Sequence, residues 1–159
     1  FHNNRVGDFD LFCLPHLLKK TNWSLETALN VLSSGSGFLG LSGISSDLRD
    51  LEAAYEAGND KARIAIQAYV DAVAGYVGQY SVYLEGIDAL VFTGGIGYNS
   101  RTIRTLICQR LAYMGVDISD HDTDSDRDIS LPDSRIKVWV VKTDEERIVA
   151  RYAKQWLNP

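Results

Sequence analysis

The apolar residues Ala89-Leu90-Val91-Phe92 stand between Gly86 and the run Gly94-Gly95-Ile96-Gly97, and a helical pattern opens at Ser100 directly afterwards. A continuous apolar stretch of this length, bounded by glycines, reads as a buried strand over 88–93. Ile103, Leu106, Ile107, Arg110 and Leu111 then recur at helical spacing. A second strand is read over 135–142, from Ile136-Lys137-Val138-Trp139-Val140-Val141, and Asp144 caps a terminal helix over 144–156. Strand, helix, strand, helix in this order implies parallel strands with right-handed crossovers, hence an α/β domain. A short strand near 116–118 and a polar surface excursion over 119–130 lie between the two main strands.

Ahead of that sheet the pattern is helical. Asp8 is the expected N-cap of a helix over 9–20, carried by Phe9, Phe12, Cys13, His16, Leu17 and Lys20, with Pro15 kinking or restarting it. Ser24 caps a second helix whose Leu25, Ala28, Leu29 and Leu32 form one stripe up to Ser33-Ser34-Gly35. Helices over 46–56 and 60–84 join at Gly58-Asn59. The longer one is expected to be central, with an apolar face of Ile64, Tyr69, Val73, Tyr76, Val77 and Tyr80, and with Gly75 and Gly78 leaving room for close packing. The glycine- and serine-rich segment 35–47 reads either as backbone that turns its amides toward a ligand or as a flexible linker. Phe38, Leu39, Leu41 and Ile44 interleave with its glycines and are expected to anchor it.

Composition narrows the class. The chain has 159 residues, 45% of them hydrophobic and 23% charged, which suits a single domain over 1–159 with its own core and excludes a disordered tail. Sixteen basic residues are scattered among 21 acidic ones for a formal charge of -5, so no basic stripe invites a nucleic acid. Cys13 and Cys108 lack a second pair at metal-ligand spacing and read as buried small hydrophobes in a reducing compartment. No stretch is long enough for a membrane span and no signal-peptide pattern opens the chain, so a soluble cytoplasmic protein is expected. The start at Phe1, without methionine and followed by His2-Asn3-Asn4-Arg5, reads as a beginning inside a longer polypeptide.

Open α/β sheets bind ligands at the carboxyl ends of their strands. After 88–93 the glycines of Gly94-Gly95-Ile96-Gly97-Tyr98-Asn99-Ser100 either let a flat base or a phosphate approach the backbone or satisfy a tight turn with positive φ. After 135–142, Lys142-Thr143-Asp144-Glu145-Glu146 begins the last helix. Its acidic residues either answer the helix dipole or, beside a nucleotide phosphate, hold Mg2+.

Five ordered blocks carry a family resemblance: Arg5-Val6-Gly7-Asp8-Phe9-Asp10, Ser45-Ser46-Asp47-Leu48-Arg49-Asp50, Gly94-Gly95-Ile96-Gly97-Tyr98-Asn99-Ser100, Pro132-Asp133-Ser134-Arg135 and Thr143-Asp144-Glu145-Glu146. In order and separation they resemble the acetate kinase family over nearly the whole chain. The resemblance implies the second lobe of a ribonuclease H-like fold, of the actin, Hsp70 and sugar kinase superfamily, helix-rich and with an incomplete, mainly parallel sheet. It implies reversible transfer of the γ-phosphoryl group of ATP to acetate, giving acetyl phosphate and ADP, or to propionate or butyrate. It further implies that Gly95, Ile96, Gly97, Tyr98 and Asn99 contact adenosine and that Asp47, Leu48 and Arg49 line the nucleotide site. By the same carry-over Glu145 ligates Mg2+, and Arg5 stabilises charge on the phosphoryl group in flight.

Three positions depart from the family pattern: Tyr98 stands where Glu is usual, Leu11 where Pro is usual and Asp144 where Asn is common. Tyr98 implies altered adenine contacts. The family's first lobe, with its catalytic aspartate and acyl pocket, has no counterpart in the sequence, nor has a His-Leu-Gly-Asn-Gly-like phosphate loop. His2, His16 and His121 have no context matching the family's catalytic histidine and read as surface or core. The expectation is a C-terminal nucleotide-binding portion without its N-terminal lobe, inactive alone, and a homodimer, because the family's dimer interface lies on this lobe. The alternatives are a packing or dimerisation module without ligand and a dinucleotide-binding turn; the latter lacks its third glycine, with Thr102 beyond Asn99.

Overall fold

In the computed structural model, which describes residues 3–119 and 126–157, five helices start where a short polar side chain accepts from the first turn. Ser24 accepts from Thr27 N (3.1 Å), Asp47 from Arg49 N (2.9 Å), Ser100 from Ile103 N (3.0 Å) and Asp144 from Arg147 N (2.9 Å). Asn59 Oδ1 accepts from both Lys61 N and Ala62 N. Each bond satisfies a donor that the helix itself leaves unpaired. Within the span read as one domain, the chain falls into two compact units, Phe1–Tyr83 and Leu84–Pro159.

The first unit holds α1 (Cys13–Thr21), α2 (Leu25–Ser34), α3 (Gly37–Ser42), α4 (Leu48–Glu56) and α5 (Asp60–Tyr83). Its core is the stripe Ala62, Ala65, Ile66 and Val70 of α5, packed with Phe38, Leu48 and Leu51. This spacing puts all four on one helix face. The expected face was misplaced: Ile64, Tyr76 and Tyr80 are exposed, and a Cβ added at Gly75 or Gly78 meets nothing within 4 Å. Aromatic size misled the reading, since the small Ala62 and Ala65 are what let α3 and α4 approach. Of α5's tyrosines, Tyr69 faces inward, its ring 5.2 Å from that of Phe38.

Three further expectations change here. Segment 35–47 is neither linker nor open loop, because α3 forms inside it between Gly37 (φ +61) and Gly43 (φ +65). Phe38 alone is its deep anchor, while Leu41 and Ile44 are exposed. Helix α1 starts four residues later than read: Asp10, not Asp8, organises its approach by accepting from Phe12 N (2.9 Å). Pro15 then falls in the first turn, where its missing amide hydrogen costs no bond and no kink results. Cys13 and His16 are exposed, so of the cysteines only Cys108 is buried. His2 and His121 lie outside the described residues.

The second unit contains β1 (Ala89–Phe92), α6 (Gly94–Asn99), α7 (Arg101–Arg110), a short 3-10 turn (Ala112–Met114), β2 (Arg127–Asp128), β3 (Lys137–Val140) and α8 (Glu145–Leu157). The sheet order is β1-β3-β2, with β1 parallel to β3 in the register Ala89↔Lys137 through Phe92↔Val140, and β2 antiparallel to β3. The short strand expected near 116–118 reduces to a single bridge, Ile118↔Ser130. Phe92, Val138 and Val140 are buried together with Ile103, Ile107 and Leu111 of the α7 region. Burial of each such side chain contributes roughly 1.5–3 kcal/mol. β1 is not buried on both faces as its apolar run suggested: Val91 and its register partner Trp139 are about half exposed on the other face. Among the described residues no helix is long and apolar enough to cross a membrane.

Candidate functional site

Parallel neighbours end on the same edge of a sheet, so the chain leaves β1 and β3 in the same direction. After β1 it turns through Gly94, whose φ of +69° is a left-handed conformation that side chains rarely adopt, and enters α6. After β3 it runs through Lys142 and Thr143 into α8. Between these exits lies a cleft of about 780 Å³. Gly94, Gly95, Tyr98 and Asn99 form one wall. Lys142, Thr143 and the carboxylates Asp144, Glu145 and Glu146 form the other.

The glycines of the first wall do different jobs. A Cβ at Gly97 would sit 3.3 Å from the carbonyl carbon of Phe92, a tight contact, so the close approach of α6 to β1 favours glycine there. Gly95 has neither positive φ nor a neighbour within 4 Å of an added Cβ. It leaves backbone open to the cleft without any local need to do so. Asn99 Nδ2 donates to Gly95 O at 2.7 Å. Arg104 of α7, fully buried, donates through Nη1 to Gly97 O (3.0 Å) and Tyr98 O (2.6 Å). These are carbonyls at a helix end that have no intrahelical partner.

The second wall is fixed at both ends, by Lys142 N donating to Asp126 Oδ1 (2.6 Å) and by Asp144 capping α8. Asp144 is committed to that cap, which leaves Glu145 and Glu146 in the first turn, where the helix dipole favours negative charge. Three carboxylates face one ammonium in this cleft. Such an acidic lining opposes a bare polyphosphate, and a divalent cation bound to the phosphates would lessen that repulsion. Among the described residues no His/Cys/Asp/Glu group of three could hold a metal by itself. Mg2+ commonly takes one or two protein carboxylates and completes its shell with phosphate oxygens and water, so a donor set centred on Glu145 fits an ion that arrives with a nucleotide.

Thus Gly95, Tyr98, Asn99 and Glu145 come together at one cleft, while Gly97 backs onto Phe92 and Ile96 is half-buried outside the lining. In the first unit, Arg5 and Asp8 line a separate cleft of about 590 Å³ with Leu29, Leu32 and Tyr76. Val6 N bonds to Leu32 O (2.9 Å) and Ser36 N to Asn4 O (2.8 Å), which straps this segment to α2 and its end. The Tyr76 hydroxyl donates to Asp8 Oδ2 (2.9 Å), and this bond and the adjacent negative charge push the phenol's pKa up.

Asp47, Leu48 and Arg49 open α4. Leu48 is buried, and the Arg49 guanidinium folds back onto the carboxylate that also caps its own amide. Arg49's side-chain hydrogen bonds, then its amide and its charge, hold Asp47 down to about 2. The Pro132–Arg135 block braces the sheet: buried Ser134 accepts from Asp117 N (3.0 Å) and donates to Ile136 O (2.7 Å). Sequence reasoning missed Arg104. A basic residue on an amphipathic helix reads as solvated, and only its position four residues after the Ser100 cap could have pointed inward to the turn.

Comparison with known proteins bears on the family and the fold. Residues 2–151 match the Acetokinase family. The chain is 42% identical over 149 residues to an acetate kinase of Acholeplasma laidlawii, covering 92% of this chain and 38% of that protein. The crystal structure of Porphyromonas gingivalis acetate kinase matches with a TM-score of 0.86 at 35% identity, over 98% of this chain and 40% of that one. A propionate kinase from Francisella tularensis matches with a TM-score of 0.84 at 34% identity, over 93% and 38%. The chain therefore spans well under half the length of these relatives. Its fold is that of the actin-like, ribonuclease H-like superfamily, helix-rich with a small mixed sheet. On the extent of the family match, the chain belongs to the acetokinase family.

Proposed function

We propose that this chain is the nucleotide-holding portion of an acetate kinase-type phosphotransferase, which moves the γ-phosphoryl group between ATP and acetate and runs in reverse from acetyl phosphate and ADP. The observation that carries this reading is the single cleft shared by the exit of β1 and the exit of β3. The open backbone at Gly95, with Tyr98 and Asn99, offers a flat surface for adenosine. The acidic start of α8 offers Glu145 to Mg2+ travelling with the phosphates. When bound, the ion neutralises phosphate charge, which is much of what phosphoryl transfer needs from its surroundings.

The roles that the resemblance gives to Arg5, Asp47, Leu48 and Arg49 belong to the same proposal and rest on that resemblance alone. A guanidinium such as that of Arg5 suits the equatorial oxygens of a phosphoryl group because its donors form a planar fork. Propionate is a second acyl substrate under this reading, favoured by the Francisella tularensis match. A cytoplasmic location, association as a homodimer and inactivity of the 159 residues by themselves complete the proposal.

Calorimetric titration of the chain with ADP, in the presence and absence of Mg2+, tests the central claim. Saturable binding strengthened by Mg2+ is expected. Absence of heat at millimolar ADP under both conditions would sink the nucleotide reading and favour a module without ligand. Acetyl phosphate formation by the chain alone would overturn the proposed inactivity.

A further inference from the structure

Helix α6 is six residues long and three of them are glycine, among the poorest helix formers, so its own backbone is a weak reason for it to hold its shape. Two of its carbonyls, Gly97 O and Tyr98 O, are nevertheless held by one nitrogen of a side chain that is 0% exposed. That side chain, Arg104, stands on α7 one turn after Ser100, the residue that ends α6 and caps α7. The guanidinium therefore reaches back across the junction and fastens the end of α6 from inside. The residues it fastens are the ones whose neighbours Tyr98 and Asn99 face the cleft.

We propose that Arg104 is a positioning residue for the nucleotide: it fixes the carbonyls of Gly97 and Tyr98 and so sets where the Tyr98-Asn99 wall meets the base. This rests on the nucleotide reading above. Charge assistance strengthens both bonds, and the planar guanidinium fixes the direction of the Nη1 hydrogens toward two adjacent carbonyls, where a lysine ammonium is a rotating point donor. Arg104 touches no ligand in this scheme and acts only through the wall it holds.

The test uses the whole chain, with Arg104→Lys and the neutral Arg104→Gln, which places no charge in the core, set beside Leu111→Ala as a control. Leu111 is as buried as Arg104 and lies outside the cleft lining. ADP affinity is measured by calorimetry, thermal midpoint by calorimetric scan and local opening by hydrogen exchange. Both Arg104 variants are expected to weaken ADP by at least about tenfold, the scale of losing charge-assisted hydrogen bonds. They are also expected to speed exchange across 94–100 while 101–110 stays protected. Leu111→Ala is expected to lower the midpoint at least as far and to leave ADP affinity within about twofold, as for sites without shared partners.

ADP affinity unchanged in a folded Arg104 variant overturns the inference and leaves the nucleotide reading intact. Equal losses in Leu111→Ala overturn it too, since they reduce Arg104 to a filler of the core. Absence of saturable ADP binding by the parent chain overturns both.

Discussion

The carbonyl of Phe92 accepts a hydrogen bond of 2.9 Å from the amide of Val141, one residue beyond the register pair Phe92↔Val140. This last rung brings the two strands to the same height before they part. Gly94 and Lys142, which follow within two residues of their own strands, consequently begin opposite walls of one cleft.

Gly95 and Gly97 should respond oppositely to a methyl group. Gly95→Ala meets open space at ordinary φ and is expected to raise stability by roughly 0.5 kcal/mol through a less flexible unfolded chain. It should also weaken ADP binding by about tenfold, because the methyl intrudes where the base approaches. Gly97→Ala pushes against Phe92 and is expected to cost roughly 1–2 kcal/mol. Denaturant melts and ADP titrations of both variants check the pair, and a stable Gly97→Ala with full ADP affinity would contradict it.

Glu145→Gln keeps the side chain's shape and removes its charge. The enhancement of ADP binding by Mg2+ is expected to fall by at least about tenfold, in line with the loss of a carboxylate ligand. Binding without Mg2+ should improve slightly, since one of the carboxylates that oppose the phosphates is gone. Calorimetry over a Mg2+ series reads both changes. Undiminished Mg2+ enhancement would remove Glu145 from the proposal.

Asp47 titrates at about 2, below the ordinary value of 3.8, chiefly because Arg49's side chain donates to it. A depressed carboxyl favours the fold when ionised, so its contribution is complete above about pH 3.8 and disappears as pH falls through about 2. The pair is solvent-exposed, and salt will weaken it. Carbon NMR of the carboxyl should find the midpoint near 2 in the parent. In Arg49→Gln the midpoint should move up toward 3.8; an unmoved midpoint would break the link.

Gly115 combines a φ of +93° with an added Cβ only 2.8 Å from the Cβ of Arg135. Neither strain relaxes by swinging a flexible side chain, so Gly115→Ala is expected to cost roughly 2–3 kcal/mol. Urea unfolding measures this directly, and a loss below about 0.5 kcal/mol, the usual range of surface changes, would contradict the assignment.

Much of this was legible because it is written locally. Ser24, Ser100 and Asp144 announce their helices by residue type, and the Gly58-Asn59 turn separates α4 from α5 where expected. The parallel pairing of β1 and β3 followed from the order of elements. What escaped depends on distant partners. The buried stripe of α5 runs through alanines that no aromatic-weighted reading selects, and two carbonyls of the glycine-rich α6 are held by Arg104 from the next helix. Two-residue β2 was illegible for the same reason, since Arg127 and Asp128 are in a strand only because β3 lies beside them. Of the candidate site, the two walls could be read as strand ends; the jobs of Gly94, Gly95 and Gly97 could be told apart only once φ and neighbours were known.

The parallel arrangement of β1 and β3 also ties occupancy to folding. Parallel strands cannot be joined by a tight hairpin, and here α6, α7 and β2 intervene before the partner arrives. The cleft therefore has no existence in the open chain, and a ligand that spans it would select the closed sheet. At a concentration 100 times its Kd such a ligand adds about 2.7 kcal/mol to global stability by mass action. Since the increment acts through a lock across the strand exits, protection against exchange should deepen most at Val141, whose amide bonds to Phe92 at that edge, and less at Lys137 at the opposite end of β3.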